Sequence, residues 1–294
     1  MARTAVFLSP GADLAAAVDC ARRADTLDYD SVWVTHGLGR DALLVLSAYA
    51  RVAPRVGLGT GVIPIYPRHP VLMAQEALTL QEMTGGRLRL GIGVSHRPMM
   101  EGALGLDMGR PLEVMREYVA ALRQGLGGRV QHAGARYRVA WQSGVPRLPS
   151  PPPIYLAGLG PAMLELAGEV ADGAVLWLCA PAYVRDHAVP AIRRGRERAG
   201  KTMEGFEIIA SVPAALSGVS RSSRVSALAA RCWAISSAFG GHGRSVPTIA
   251  SGSVPIRRQR NENSASESGS AQWRSSSSKS TGSTLLRCRK RRTP

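Results

Sequence analysis

Cysteine is scarce in this chain. The four present, Cys20, Cys179, Cys232 and Cys288, lie far apart and form no CxxC pair. That spacing argues against both a zinc site and a disulfide framework, and it suits a reducing cytoplasm. No run of roughly eighteen apolar residues occurs, so a membrane span is not expected. Aromatic residues are only 5% of the chain. They form no platform interleaved with basic residues, which argues against a nucleic-acid surface. Lysine is nearly missing, 3 against 34 arginines, which points to a gene rich in G and C. The opening MARTAVFLSPGADLAA is apolar only briefly and is broken by Pro10 and Gly11. It reads as a first strand and not as a signal peptide.

Charge of one sign is nearly missing from one part of the chain. Residues 1–218 hold 23 basic and 19 acidic residues, whereas 219–294 hold 14 and 2, with no Asp at all. The formal net charge of +16 therefore belongs mainly to the last 76 residues. Serine follows the same division, 8 before residue 219 and 19 after it. Two readings of 219–294 compete: a disordered basic tail, which this composition supports, and a tail translated in a shifted frame. The strand and helix pattern stops just after a strand, in mid-fold, which favours the frame shift.

Residues 1–218 alternate β-rich runs with segments of helical spacing, the pattern of a parallel sheet covered by helices. The strands are expected at Thr4–Ser9, Ser31–Thr35, Val56–Val62, Leu88–Val94, Pro153–Ala157, Gly173–Leu178 and Phe206–Pro213. The helices are expected over Ala12–Leu27, Asp41–Val52, Pro70–Met83, Pro111–Leu126, from Pro161 onward, and over Pro181–Ala199. Val130–Val139 reads as a hairpin turning near Gly134. No eighth strand follows. Barrel enzymes place their chemistry in the loops after the strands, so function is sought there.

GLGTGV (Gly57–Val62) puts glycines inside a strand, which marks a bulge, a close backbone approach to a ligand, or a tight barrel corner. GLGP (Gly158–Pro161) lies between a strand and a helix, where free N–H groups suit a phosphate, although two glycines in such a turn also have steric causes. His36 and His96 each follow a strand. Either is a candidate for proton transfer, and either could be an ordinary surface or core histidine. Arg68-His69 before Pro70 reads equally as a helix start. No HExxH, GxSxG or P-loop is present. A site with few carboxylates and no nucleophile suits chemistry carried by a cofactor.

The segments YDSVWVT, RVGLGTGV and YPRHPVLMAQEALTLQEMTGGRLRLGIGV (within Tyr29–Val94) resemble the luciferase-like monooxygenase superfamily. PIYLAGLGPAMLELAGEVADGAVLWLCAPAYV (Pro153–Val184) resembles its deazaflavin-using branch, which includes methylenetetrahydromethanopterin reductase. The resemblance spans about residues 4–218 and ends there. It implies a luciferase-like TIM (β/α)8 barrel, incomplete at the C-terminus, with 1–218 as the barrel domain and 219–294 as the tail. It also implies coenzyme F420 or, alternatively, FMN as cofactor. A non-proline cis peptide is implied in the strand-three bulge, within Gly59, Thr60, Gly61 and Val62. Further cofactor contacts are implied at Ser95, at Gly158, Leu159, Gly160 and Pro161, and at Trp177, read as standing on strand six. His36 occupies a position often acidic in the family, which leaves the proton donor open between it and His96.

The reading reached is a cytoplasmic oxidoreductase moving a hydride between F420 or flavin and a small organic substrate, with a homodimer as the expected assembly. The alternative within enzymes is an FMN-dependent monooxygenase using O2 with a partner flavin reductase. The alternatives of other classes are a nucleic-acid binder acting through the tail and an inactive truncated product.

Overall fold

The computed structural model describes residues 4–36, 39–145 and 147–212. Ten strands and their helices alternate along this part of the chain. β1 (Ala5–Leu8) leads into α1 (Leu14–Thr26), whose N-cap Asp13 accepts a hydrogen bond from Ala16 N. β2 (Ser31–Val34) precedes α2 (Ala42–Val52), and β3 (Gly57–Thr60) with β4 (Ile63–Pro64) precedes α3 (Pro70–Met83). β5 (Leu88–Gly93) is followed by a π-helical turn, Pro98–Ala103, and then α4 (Pro111–Leu126). β6 (Arg129–Ala133) and β7 (Arg138–Gln142) form a separate antiparallel hairpin. β8 (Ile154–Ala157), α5 (Pro161–Val170) and β9 (Gly173–Leu176) follow. The last described elements are α6 (Pro181–Tyr183), α7 (Val189–Arg198) and β10 (Glu207–Ala210).

The main sheet runs β1-β2-β3-β5-β8-β9-β10, all parallel, with β4 also pairing β5. It is the curled α/β sheet of a TIM-barrel-type fold. Among the described residues β1 and β10 each pair on one side only. An eighth strand, and the tail assigned to 219–294, fall outside the described residues.

Period-two alternation sends side chains into two cores. Val32, Val34, Leu58, Ile154, Leu156, Ala174 and Leu176 pack outward beneath the helices. Trp33, Tyr155 and Val175 form a second cluster inside the curl, with Phe7 and Ile209 against it. The interior aromatics are too large for a full ring of side chains, and glycines make the room. A Cβ on Gly59 would come within 2.5 Å of the Trp33 ring, and one on Gly173 within 2.3 Å of Tyr155. Aromatic packing thus gives Gly59 a steric cause.

Several element boundaries differ from the sequence expectation. The run Val56–Val62 is not one strand. Leu58 pairs Leu88 and Gly59 pairs Arg89, but Ile63 pairs Ile92. One extra residue has entered between β3 and β4, which is the expected bulge. The hairpin lies at 129–142 and turns between Ala133 and Arg138. β9 ends at Leu176, so Trp177 stands just beyond the strand and not on it. The helix expected as one piece over Pro181–Ala199 is interrupted by a π-helical turn, Val184–Ala188.

Candidate active site

The carboxyl ends of β2, β4, β5 and β9 surround a cavity of about 280 Å³. Its lining is Thr35, His36, Gly61, Val62, Pro64, Gly93, Ser95, His96 and Trp177. Six of the residues picked out in the sequence therefore meet here: His36, Gly61, Val62, Ser95, His96 and Trp177. Thr35, Pro64 and Gly93 went unselected. Their common feature is position at a strand end, which sequence shows only when the strand's last residue is placed correctly.

The bulge builds one wall. Gly61 N–H donates to Val34 O (2.8 Å), and the Gly61–Val62 peptide is cis, within the span the resemblance implies. Gly59 and Thr60 do not line the cavity. The Thr60 side chain is fully buried, and its hydroxyl both donates to Gly91 O (2.7 Å) and accepts from Gly91 N–H (2.8 Å). Thr60 ties the bulged strand to β5, because backbone pairing is interrupted there.

Trp177 forms the apolar wall. It meets Phe7 edge-on with centroids 5.7 Å apart, Phe7 stacks on Trp33 at 5.9 Å, and Trp33 meets Tyr155 edge-on at 5.4 Å. This column fills the curl and separates the cavity from its amino end. There the Tyr155 hydroxyl hydrogen-bonds Glu207, which also pairs with Arg89 (3.4 Å). Burial pushes the Tyr155 hydroxyl far above the usual phenol range, and Glu207 adds to the shift.

Ser95 is held at φ +59°, a left-handed conformation rare for a residue with a side chain. Such conformations concentrate at functional sites. The residue after it, His96, opens the π-helical turn, with its carbonyl accepting from Met99 N (3.0 Å) and Met100 N (2.9 Å).

His36 is fixed by α2. Its Nδ1 accepts from Ala42 N–H at 3.2 Å. Burial lowers its proton affinity, the Arg68 guanidinium lowers it further, and the Asp41 carboxylate opposes them. Asp41 is the α2 N-cap and pairs with Arg68, whose Nε also lies 3.3 Å from Glu76. His69 does cap α3: its Nδ1 accepts from Val71 N–H (3.3 Å), with Pro70 in the first turn.

The GLGP segment lies next to the cavity's lining strands but does not line the cavity itself. A Cβ on Gly93 would lie 3.3 Å from Ala157, the last residue of β8, and the segment begins immediately after it. Gly160 is the N-cap of α5 with no side-chain cap, and a Cβ there would meet nothing within 4 Å. This is an open cradle over unfilled helix N–H groups, suited to an anion. Leu159 is 40% exposed, and its carbonyl accepts from the Tyr183 hydroxyl. Gly158 is packed against Met163, 2.7 Å from a built Cβ, so its glycine has a steric cause.

The sequence model of the family "Luciferase-like monooxygenase" matches residues 1–284. The match runs beyond residue 218, where the resemblance read from the sequence ended. The chain is similar to the 5,10-methylenetetrahydromethanopterin reductase of Methanolobus tindarius, 32% identical over 199 residues, covering 65% of this chain and 58% of the reductase. Its fold is similar to the coenzyme F420 dependent tetrahydromethanopterin reductase from Methanopyrus kandleri, with TM-score 0.62, 24% identity, and coverage of 71% of this chain and 65% of that one. It is also similar to the monooxygenase RslO1 from Streptomyces bottropensis, with TM-score 0.65, 22% identity, and 81% of both chains covered. The chain spans about three-fifths of the length of the curated relatives it matches. Among the described residues no helix is long and apolar enough to cross a membrane.

Proposed function

The chain belongs to the luciferase-like monooxygenase family, and from that premise we propose that it is an oxidoreductase holding a deazaflavin, coenzyme F420, at the strand-end cavity. The observation that carries this reading is the convergence of the bulge at Gly61–Val62, the Trp177 wall and two histidines on one cavity. A planar ring fits between an apolar wall and a backbone wall, and the open cradle at Gly160 fits a phosphate. The 34% identity over 169 residues to a putative coenzyme F420-dependent oxidoreductase of Mycobacterium tuberculosis supports a deazaflavin over FMN.

Bound deazaflavin supplies hydride transfer to or from a small organic substrate. The chain's own residues have other tasks. Val62 and Trp177 would hold the ring and limit water around it. The N–H groups at the start of α5 would hold the phosphate. His36 and His96 stand at the rim, where each is within the cavity lining and offers a ring nitrogen for hydrogen bonding or proton transfer to substrate.

Fluorescence-quenching titration of the full chain with F420 and with FMN tests the reading. Tighter binding of F420 is expected. Tighter binding of FMN would overturn the deazaflavin assignment in favour of a flavin monooxygenase.

A further inference from the structure

The first N–H groups of α2 are each given a side-chain acceptor. Ala42 N–H is taken by His36 Nδ1 (3.2 Å), and Leu43 and Leu44 N–H by Asp41 Oδ1 (2.9 and 3.1 Å). Val45 N–H makes the helix's first bond of its own, to the Asp41 carbonyl (3.1 Å). The N–H groups before it have no partner in the helix backbone. Here one of them is filled by the imidazole of a residue that lines the cavity.

Asp41 has a second oxygen, and Arg68 holds it. Arg68 comes from the segment before α3, is only 19% exposed, and bridges Asp41 to Glu76. This pairing holds the Asp41 carboxylate between the α2 N–H groups and Arg68.

We propose that Arg68 is a positioning residue for the cavity: through Asp41 it fixes the orientation and tautomer of His36, so that Nδ1 serves α2 and Nε2–H faces the bound ligand. The proposal rests on the functional reading above only for what the ligand is. An acceptor Nδ1 requires a ring that is uncharged and protonated at Nε2. Such a ring donates a hydrogen bond to an oxygen of the ligand without bringing a full positive charge to the cavity. A neutral imidazole held by a helix N-terminus is a known way of polarising a carbonyl. The charged and titratable groups around His36 are Asp41 from α2, Arg68 from before α3, Glu76 behind Arg68, and His96 across the cavity. Burial and Arg68 favour the neutral ring, and Asp41 alone opposes them.

The test is a pH titration of His36 in the unliganded full chain, followed by long-range proton–nitrogen NMR, for wild type, Arg68→Gln, Arg68→Lys and Asp41→Asn. Wild type is expected to show the Nε2–H tautomer and to protonate below the ordinary imidazole value. Arg68→Gln should raise the protonation constant by roughly 10-fold, the low end for one nearby charge, and Arg68→Lys should bring it back in part. Asp41→Asn should lower it, so a poorly folding Arg68→Gln still leaves a measurement in the opposite direction. An Nδ1–H tautomer in wild type overturns the proposal. So does a titration unmoved in the variants that fold. The titration uses no cofactor, so failure of F420 binding with these shifts intact would count against the functional reading alone.

Discussion

Thr60 and Gly91 exchange two hydrogen bonds through one hydroxyl: Thr60 Oγ1 donates to Gly91 O at 2.7 Å and accepts from Gly91 N at 2.8 Å. The pair sits where the β3 register slips by one residue against β5, between Gly59↔Arg89 and Ile63↔Ile92. A side chain thus replaces two ladder bonds that the bulge removes. Gly91 is obligatory for the contact, since a Cβ there would fall 2.0 Å from Thr60 O.

Replacing Thr60 with Val keeps the volume and leaves a buried N–H and C=O without a partner. The expected cost is about 1–3 kcal/mol per buried group left unsatisfied. Chemical denaturation checks it. A loss confined to cofactor affinity, with no loss of stability, would show that Thr60 faces the ligand and not the ladder.

Gly59→Ala tests the aromatic column. The added methyl meets the Trp33 ring at 2.5 Å, and overpacking of that kind costs about 1–3 kcal/mol. Trp33→Leu in the Gly59→Ala background should recover part of the loss by vacating the space. Equal destabilisation in the single and double variants would locate the problem in the backbone.

Gly160→Val separates the two glycine roles. Gly160 has φ −80° and ψ 147°, open to any residue, and its Cβ position is empty. Thermal stability should stay within about 0.5 kcal/mol, as for ordinary surface positions. Cofactor affinity should fall, because the side chain would occupy the space over the α5 N–H groups. Unchanged affinity in titration would remove the phosphate from this helix.

Asp25 ties α1 to β3 and gives stability a pH dependence. Its carboxylate accepts from the N–H groups of Arg55 and Val56, both at 2.8 Å, and from the Arg55 side chain at 3.2 Å. Burial by itself would raise its pKa, but the hydrogen bonds from Val56 and Arg55 outweigh burial and hold it below 3.8. A depressed folded value stabilises fully above the unfolded value, and that stabilisation is lost as pH falls through the folded one. Wild type should therefore exceed Asp25→Asn in stability by a constant margin from neutrality to about pH 5, with the margin shrinking below about pH 4. A margin independent of pH down to 2 in urea titrations would contradict the assignment.

Much of the architecture was legible because it depends on local pattern. The alternation of Val32–Val34 against Trp33, the caps at Asp13 and Asp41, and Pro70, Pro111 and Pro161 in their helices' first turns are all short-range signals. They fix which segments are strands and helices, and the glycine-rich GLGTGV fixes roughly where the bulge falls. His36 and His96 were legible as candidates because each follows a strand, whereas Ser95 and Trp177 were reached through the family resemblance, Trp177 with its strand end misplaced.

What sequence could not separate is which glycine serves which purpose. Gly59, Gly61, Gly158 and Gly160 look alike along the chain. Yet one clears space for Trp33, one lines the cavity, one packs on Met163, and one leaves an open cradle. Those roles depend on which side chain arrives from another strand. The Arg68–Asp41–His36 arrangement is of the same kind: residues 27 and 32 positions apart meet only when α2 and α3 flank one strand end. Local propensity and period determined the elements of this protein, and long-range packing alone decided which of their residues face the cavity.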